Sequence, residues 1–521
     1  MDADVLIVGA GPTGLMLANQ LARRRVRMLL IDRQARPAEQ TRALGVQART
    51  LEIYAQLGIV EQALELGKRG TGANIWANGR RMANVPLIEA GQGATPYPFI
   101  LVLGQDDNER LMGERLRAQG LGVTWNTELV GLAESAAHMT AQLKGADGSV
   151  REVTAAWVAG CDGAHSAVRH LSGIEFPGAP YEHVFFVADT VLTGTMVPEQ
   201  VNVYLWRAGF HLLFPMRGEN HWRIVGIVPQ ELRDRPDLSF DAVIPSLRRE
   251  AGEGMVFRAC SWFSIYRIHH RGAKRFRHGR CFVLGDAAHI HSPVGAQGMN
   301  TGLQDAYNLA WKLALVVGGK ADAALLESYH AERFPVAQRL LRTTDRAFRL
   351  VVSDNPLAGI LRTQVLARLA AFAMSQARIQ QAAFRVVSQI GIHYRSSPLS
   401  QSTAELPRHA PRAGDRFPWL HLRLYPDAPA VDLFQALTDT SFHLIVTGQD
   451  AVNAGQSALG ELLQVHVIPD HPENRTELAR AHIPTPSFYL VRPDGHIGLC
   501  GTKLQPGAIC GYLSRCLRLS R

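Results

Sequence analysis

The first 32 residues constrain the fold most strongly, because two apolar runs flank a glycine-rich turn. The pattern predicts strands at residues 4–8 and 28–31, a helix at residues 15–25, and a turn at Gly9-Ala10-Gly11-Pro12-Thr13-Gly14 between the first strand and the helix. Asp32 ends the second strand, where its carboxylate suits a ribose hydroxyl. This order of elements predicts a Rossmann-like βαβ unit that binds a dinucleotide.

Each glycine of this turn has a physical reason. Gly9 permits a tight turn, Gly11 lets a pyrophosphate approach the backbone, and Gly14 lets the helix pack closely on the strand. An acid after the second strand favours the ribose of FAD or NAD over a 2′-phosphate. The cofactor-binding residues predicted in this unit are Gly9, Gly11, Pro12, Thr13, Gly14, Asp32 and Arg33.

A second informative stretch runs from Gly279 to Lys312. Residues 281–284 form an apolar run that predicts a buried strand, Gly285-Asp286 breaks it, and apolar residues return at helical spacing from Asn300 onward. A carboxylate at a strand end accepts hydrogen bonds from a polyol, and the free amides at a helix start stabilise an anion. FAD has both a polyol chain and a ring that becomes anionic, so this stretch predicts an FAD site.

Within this stretch, the motif GDAAH…P.GAQGMN…D..NL.WKL resembles the third fingerprint of the single-component FAD-dependent aromatic hydroxylases, the family of p-hydroxybenzoate and phenol hydroxylases. Residues 158–169, VAGCDGAHSAVR, resemble the family's Asp-Gly motif, which is thought to serve both FAD and the nicotinamide cofactor. With the GxGxxG turn, three fingerprints stand in the family's order. The resemblance implies FAD contacts from a further set of residues: Arg42, Gln105, Asp162, Gly285, Asp286, Pro293, Gly298, Met299 and Asn300.

The resemblance also implies a reaction. NADPH, or NADH, reduces FAD as a transient electron donor without a Rossmann unit of its own, and reduced FAD takes up O2 to give a C4a-hydroperoxide whose distal oxygen passes to an activated aromatic ring. Because that species loses H2O2 in water, the pocket should be closed and apolar. Pro293 is expected to lie by the flavin with its carbonyl near the substrate. No catalytic base is identified, and His289 and His291 are candidates, with a turn role as the alternative for His289.

Residues 174–272 change to strand-like alternation, which predicts an inserted β-sheet domain. The segment is dense in aromatic residues and Met, as a surface against a flat apolar substrate needs, although an ordinary sheet core is the alternative for any single side chain. In the resembled family this sheet forms the substrate pocket. We therefore expect four residues near a small aromatic or polycyclic substrate: Trp206, Phe214, Met216 and Tyr266.

The predicted fold class is α/β, with a Rossmann-like FAD-binding domain, an inserted β-sheet substrate domain, a helical segment and a C-terminal thioredoxin-like domain. The expected boundaries are 1–173 with 273–350 for FAD binding, 174–272 for the substrate sheet, 351–395 for the helical segment, 396–415 for a linker and 416–521 for the last domain. That domain resembles the C-terminal unit of the phenol hydroxylase subgroup. None of the six cysteines forms a CxxC, so a role in packing or in a homodimer is predicted rather than thiol–disulfide chemistry.

The composition of the 521 residues narrows the function further. No apolar run approaches the roughly 20 residues of a membrane span, and no basic stretch precedes the apolar N-terminus, so we expect no stable membrane insertion and a cytoplasmic location. The net charge of +9 is spread along the chain without a helix-turn-helix or an aromatic-interleaved basic motif, which predicts no nucleic-acid binding. The cysteine spacing predicts no metal site.

Other functions remain open at the level of sequence. An enzyme that tailors or inactivates an antibiotic of the rifamycin or tetracycline type would carry the same fingerprints and C-terminal unit. A flavin-dependent halogenase shares the FAD fold but would carry a WxWxIP stretch, which this sequence lacks. A ubiquinone-pathway hydroxylase generally lacks the C-terminal unit. A non-catalytic flavin-binding protein would retain FAD without substrate-stimulated NADPH oxidation.

Overall fold

The computed structural model describes residues 1–38, 43–206, 209–233, 235, 237–252, 254–290, 297–352, 372–403, 406–451, 460–515 and 517. Their helices are α1 (Pro12–Ala22), α2 (Ala48–Leu57), α3 (Val60–Leu66), α4 (Leu87–Gly91), α5 (Gln105–Arg117), α6 (Ala167–Leu171), α7 (Phe240–Ala251), α8 (Gly298–Val317), α9 (Glu327–Val352), α10 (Ala377–Val387), α11 (Leu433–Ala436), α12 (Pro472–Arg480) and α13 (Pro506–Arg515). Their strands are β1 (Ala3–Val8), β2 (Met28–Ile31), β3 (Gly45–Val46), β4 (Lys68–Gly70), β5 (Gly72–Ala77), β6 (Arg80–Pro86), β7 (Ile100–Val102), β8 (Glu128–Glu134), β9 (Met139–Lys144), β10 (Val150–Gly160), β11 (Gly178–Thr193), β12 (Val201–Trp206), β13 (Gly209–Pro215), β14 (His221–Ile227), β15 (Val256–Gly272), β16 (Arg277–His278), β17 (Cys281–Val283), β18 (His289–Ile290), β19 (Gln401–Ser402), β20 (His421–Leu422), β21 (Val431–Asp432), β22 (Phe442–Thr447), β23 (Leu463–Ile468), β24 (Ser487–Val491) and β25 (Ile497–Gly501).

One sheet carries the glycine-rich turns. Its strands β17, β10, β1 and β2 lie side by side in that order and run parallel. Val8 at the end of β1 lies opposite Gly160 of β10 and Ile31 of β2, and Gly160 lies opposite Val283 of β17. The turns after these four strands therefore emerge at one edge, where open α/β sheets bind ligands. The predicted Rossmann-like βαβ unit is confirmed.

Strand β1 is apolar from Val5 to Val8 because both faces of this sheet are covered there. Val5 and Ile7 pack into the core that α1 and α8 form with the sheet, and Leu303 of α8 belongs to the same core. Leu6 and Val8 point the other way, into the core beneath β9. Burying one such aliphatic side chain stabilises the fold by about 1.5–3 kcal/mol, so this packing fixes the start of each helix at the sheet edge.

A second, larger sheet has the strand order β18-β15-β11-β14-β13-β12-β5-β6. Strands β11 to β15 come from the segment predicted as the substrate domain, whereas β5 and β6 come from residues 72–86 and β18 from His289–Ile290. The sheet is therefore not confined to residues 174–272. One face packs on α7 through Phe240 and Val243, and the other contacts Leu44 near the cofactor-binding turns.

The C-terminal residues form a third sheet in the order β19-β25-β24-β22-β23, with β22 parallel to β23 and antiparallel to β24. A buried ionic cluster joins it to the first sheet's unit. Glu332 of α9 accepts hydrogen bonds from Lys312 (2.8 Å) and from Arg492 (2.6 Å), and Arg492 also pairs with Asp494. Because breaking a buried ion pair costs about 3–5 kcal/mol, these contacts hold the two units together.

The predicted helical segment 351–395 contains α10, while residues 353–371 lie outside the described residues. Among the helices described, none is both long enough and apolar enough to cross a membrane.

Candidate cofactor and substrate site

The first glycine-rich turn lies directly on the second. Gly9 has φ +100°, and a Cβ atom on it would lie 2.4 Å from the carbonyl oxygen of Cys161. A Cβ atom on Gly14 would lie 1.9 Å from the carbonyl oxygen of Gly9. These distances exclude a side chain at either position, because each would overlap main-chain atoms. Because Gly9 and Gly14 have no side chains, β1, α1 and the Asp162 turn can lie in contact.

Gly11 is different, because a Cβ atom there would meet no atom of the described residues within 4 Å. It precedes α1, an 11-residue helix whose amino terminus faces this open space. Helix amino termini carry free N–H groups and about half a positive charge, which favour a phosphate. Asp32 accepts hydrogen bonds from the backbone N–H groups of Ala10 (2.7 Å) and Gln34 (2.8 Å). Its carboxylate is thereby fixed beside the turn with acceptor lone pairs left for a ligand.

The third turn contacts the first through Thr13. A Cβ atom on Gly285, which has φ +57°, would lie 2.6 Å from Thr13 Oγ1. A Cβ atom on Gly302 would lie 2.4 Å from the same oxygen and 3.1 Å from the Cα atom of Gly285. Thr13 therefore sits in a slot that only two glycines leave open. The turns after β1, β10 and β17 converge within contact distance.

A buried carboxylate holds the third turn in place. Asp305 of α8 accepts hydrogen bonds from the backbone N–H of Gly285 (3.1 Å) and from Arg333 (2.6 Å), and its Oδ2 lies 2.8 Å from Nε2 of His289. Burial acts to raise the pKa of Asp305, but the positive charge of Arg333 and the hydrogen bonds with His289 and Arg333 outweigh it and hold that pKa below its usual value. Asp305 stands in the D..NL part of the third fingerprint, yet sequence reasoning gave it no role.

His289 itself is 1% exposed and its ring stacks on Phe276 at 5.7 Å. These contacts, together with its bond to Asp305, are those of a residue that positions the turn. The buried ring of His289 therefore does not lie at the open edge of the sheet. Asp286, in the same turn, is solvent-exposed. Protein atoms nevertheless surround the Asp286 carboxylate closely enough that desolvation raises its pKa, as expected for an acid that faces a cleft.

The Asp162 carboxylate forms hydrogen bonds at the start of α6. It accepts hydrogen bonds from Ser166 Oγ (2.5 Å) and from the backbone N–H of Val168 (3.1 Å), and burial raises its pKa. The neighbouring His165 is exposed. The second fingerprint thus fixes a helix start against the Gly9 turn.

Gln105 begins α5 and donates a hydrogen bond to Glu109 (2.8 Å), which also accepts one from the backbone N–H of Ala38 (3.3 Å). Glu109 is 4% exposed, and burial raises its pKa, with the nearby charge of Asp32 adding to the effect. Sequence reasoning missed Glu109, although its place one helical turn after Gln105 was a usable signal. Arg33 is exposed next to Asp32.

The start of α8 is clamped from one side. Asn300 is fully buried; its side-chain oxygen accepts hydrogen bonds from the backbone N–H of Gln47 (2.9 Å) and from Thr50 (2.7 Å), and its amide donates to the carbonyl of Gly45 (2.7 Å). Gly298 and Met299, at the amino terminus of this 20-residue helix, are only half-buried. The hydrogen bonds of Asn300 therefore fix the position of the helix amino terminus, which remains accessible to a ligand. Three further predicted residues, Arg42, His291 and Pro293, lie outside the described residues.

Three of the four predicted substrate residues share one face of the large sheet. Phe214, Met216 and Tyr266 pack in the cluster that also holds Leu44. Trp206 does not share this face. Side chains alternate along a strand, and the pairing of β12 with β13 puts Trp206 on the opposite face, with its ring stacked on His211 at 5.5 Å.

The face that carries Phe214 also holds a charged pair that sequence reasoning missed. Arg223 binds Asp189 through two hydrogen bonds of 2.6 Å, and its guanidinium lies 5.0 Å from the ring centre of Trp262. The bidentate geometry satisfies both charges on a largely apolar surface. This face therefore offers aromatic contact area with one fixed polar element.

The residues present fit FAD. The open space at Gly11, the amino termini of α1 and α8, and the Asp32 carboxylate supply, at one sheet edge, the anion and ribose contacts that a flavin dinucleotide needs. The fold and this site define a flavin-binding α/β protein with an attached substrate sheet.

Comparison with known proteins agrees with that class. Residues 2–344 match the family described as "FAD binding domain". The chain is 35% identical to the 6-methylpretetramide 4-monooxygenase of Streptomyces rimosus, over 96% of this chain and 91% of that protein. It is 30% identical to the pentachlorophenol 4-monooxygenase of Sphingobium chlorophenolicum, over 95% of this chain and 86% of that one. The solved structure of an anhydrotetracycline hydroxylase from Streptomyces rimosus superposes with a TM-score of 0.79 at 27% identity, covering 99% of both chains.

The chain belongs to the family of FAD-dependent aromatic monooxygenases.

Proposed function

We propose that this monooxygenase uses NADPH and O2 to hydroxylate a phenolic or polycyclic aromatic substrate. The observation that carries the proposal is the convergence of the three turns beside a sheet face rich in aromatic side chains, since a flavin site and an apolar substrate surface are the two parts that this reaction needs. Bound FAD supplies the chemistry, because reduced flavin activates O2 for transfer of one oxygen atom to the ring.

The chain's own part is binding, orientation and exclusion of water. The residues proposed to hold FAD are Gly9, Gly11, Pro12, Thr13, Gly14, Asp32, Arg33, Arg42, Gln105, Asp162, Gly285, Asp286, Pro293, Gly298, Met299 and Asn300. The amino terminus of α8 would stabilise negative charge on the flavin ring. Asp305 and His289 act as positioning residues for the Gly285 turn rather than as groups that contact substrate.

The substrate is proposed to lie against Phe214, Met216 and Tyr266. A flat aromatic molecule gains contact area there, and the apolar cover keeps water from the reacting atoms. The carbonyl of Pro293 is the proposed neighbour of the substrate from the loop before α8. A phenol reacts faster once it loses its proton, so a proton acceptor at this face would raise the rate.

Oxidative tailoring or inactivation of an antibiotic is the second candidate. The similarity to a 6-methylpretetramide 4-monooxygenase and to an anhydrotetracycline hydroxylase favours a fused-ring substrate over a single-ring phenol. The similarity to a pentachlorophenol 4-monooxygenase favours the opposite.

The remaining proposals concern context. A cytoplasmic location fits the need for NADPH, and neither nucleic acid nor a membrane is proposed as a partner. The strand directions of β22 to β25 support a thioredoxin-like C-terminal domain, with a packing role or a place in a homodimer. The domain boundaries proposed from the sequence are retained, with residues 72–86 added to the substrate sheet.

The test is a substrate screen with the purified FAD-loaded protein. Phenols and fused-ring phenols are compared for stimulation of NADPH oxidation, and product mass is recorded. The proposal predicts faster NADPH oxidation with a substrate and a product that gains one oxygen atom. If every compound releases as much H2O2 as NADPH is consumed, the protein is a flavoprotein that does not hydroxylate. A chlorinated product would show that it is a halogenase. Stopped-flow reduction of FAD with each nucleotide separates NADPH from NADH.

A further inference from the structure

A large basic cleft lies between α10 and the C-terminal domain. It encloses about 910 Å³, a size typical of small-molecule sites. Its walls come from α10, from residues 90–94 at the end of α4, from residues 390–395 and 408–419, and from the end of α12. Among its described lining residues, seven arginines face a single acid, Asp415. The cleft therefore carries a strong positive charge.

Four of these arginines make no ion pair within the part of the chain that the structure describes, and one of the four, Arg412, donates a hydrogen bond to the carbonyl of Arg408 (3.4 Å). Arg416 pairs with Glu52, and two others pair with carboxylates in the same way. By contrast, Arg378, Arg385 and Arg408 are exposed, and their guanidinium groups make no hydrogen bond or ion pair with the part of the chain that the structure describes. Arg378 and Arg385 stand seven residues apart on α10, so two helical turns bring them to one face.

The positive charges act on one another. Burial lowers the pKa of Arg416, and the charge of Arg385 lowers it further. His393, on the same wall, has its pKa lowered by burial and then by the charges of Arg339 and Arg395. Like charges held this close repel each other, and an anion bound among them would remove that repulsion.

The cleft shares a wall with the proposed flavin site. Ile390 lines the cleft and packs with Ala48 at the start of α2. Its neighbour Gln389 donates a hydrogen bond to Thr301 (3.0 Å) and accepts one from Gln304 (2.6 Å). Both partners lie in the first two turns of α8, the helix whose start is proposed to face the flavin ring. The cleft is thus adjacent to the place where an electron donor must act.

We infer that the basic cleft binds the phosphate groups of NADPH, with Arg378, Arg385 and Arg408 as the phosphate-binding residues. The inference rests on the proposed function for the identity of the nucleotide. Guanidinium groups bind phosphate oxygens through paired, charge-assisted hydrogen bonds. NADPH carries a 2′-phosphate that NADH lacks, so a cleft with three free arginines binds NADPH more tightly.

The test uses the full-length protein loaded with FAD. Binding of NADP⁺ and of adenosine 2′,5′-bisphosphate is measured by calorimetry, and KM and kcat are measured with NADPH and with NADH. Each of the substitutions Arg378→Ala, Arg385→Ala and Arg408→Ala weakens NADP⁺ binding and raises KM for NADPH about tenfold. KM for NADH rises less, while kcat and the flavin spectrum stay unchanged. Arg151→Ala removes an exposed arginine of β10 far along the chain from the cleft and leaves every value at that of the unsubstituted protein.

The outcomes separate the possible ligands. Inorganic phosphate, titrated alone, reports whether the cleft binds any phosphate. If the three substitutions abolish phosphate binding but leave the affinity for NADP⁺ unchanged, the assignment of the cleft to the nucleotide is overturned. A further variant carries all three substitutions together. If its affinities for NADP⁺ and for phosphate both equal those of the unsubstituted protein, the site itself is overturned. If no substrate stimulates NADPH oxidation but the substitutions still weaken NADP⁺ binding, the proposed hydroxylation fails and the nucleotide site stands.

Discussion

Replacing Gly11 by alanine separates cofactor binding from folding. The backbone at Gly11 has φ −70°, which suits any residue, and a Cβ atom there meets none of the described atoms within 4 Å. The apoprotein should therefore lose no stability, and the reduced freedom of the unfolded chain contributes up to about 1 kcal/mol in its favour. A methyl group forced against a closely bound diphosphate costs about 1–3 kcal/mol, which corresponds to a loss of FAD affinity of roughly 5- to 150-fold.

Gly14→Ala is the matched variant with the opposite expectation. Its Cβ atom would lie 1.9 Å from the main-chain oxygen of Gly9, a clash that only movement of α1 away from β1 can relieve. We expect the apoprotein to lose at least about 3 kcal/mol of unfolding free energy.

Urea unfolding of the two apoproteins and titration with FAD, followed by flavin fluorescence, measure both quantities. The reasoning is refuted if Gly11→Ala binds FAD as tightly as the unsubstituted protein. It is also refuted if the Gly14→Ala apoprotein is as stable as the unsubstituted one, because the glycines would then not be required by the contacts described.

Two further substitutions test the rest of the site. Asp305→Asn leaves Arg333 buried without its counter-charge and should cost about 3–5 kcal/mol of unfolding free energy, whereas Asp427→Asn, at an exposed turn, should change it by less than about 0.5 kcal/mol. The folded state holds the pKa of Asp305 below its unfolded value, so the contribution of the Asp305 carboxylate to stability is present above about pH 4 and is lost as the pH falls further. The unfolding free energies of the unsubstituted protein and of Asp305→Asn should therefore converge in acid. A constant difference between them down to about pH 2 would contradict this. Phe214→Ala should raise KM for the aromatic substrate about tenfold or more, while Trp206→Ala, on the far face of the sheet, should leave it within about threefold; equal effects would show that the face assignment is wrong.

The local sequence pattern was enough to predict the sheet edge at which the three glycine-rich turns meet. The alternation of strand, glycine turn and helix is written in consecutive residues, and parallel strands bring their carboxyl ends to one edge, so the turns after Val8, Gly160 and Val283 had to meet. The steric need for glycine at Gly9 and Gly14 follows from the same geometry.

What the sequence left undetermined depended on pairing between distant segments. Trp206 and Phe214 both stand on aromatic-rich strands, and only the register of β12 on β13 separates their faces. The placement of residues 72–86 in the large sheet is a long-range pairing with β12. Asp305 and Arg333 lie on different helices, so their buried pair becomes visible only when α8 and α9 pack.

The same holds for the basic cleft. Its arginines come from α10, from the segment after it and from α12, and in the sequence they look like scattered solvated charges. Only the docking of the C-terminal domain, fixed by the Glu332 and Arg492 pair, gathers them around one space.

The structure of the protein determined with FAD bound tests the central claim most directly. We expect one FAD per chain, with its diphosphate at the amino terminus of α1 beside Gly11, a ribose at Asp32, and the ring between the start of α8 and the sheet face that carries Phe214. A protein that binds no FAD, or that binds it away from the Gly9, Asp162 and Gly285 turns, would contradict the account.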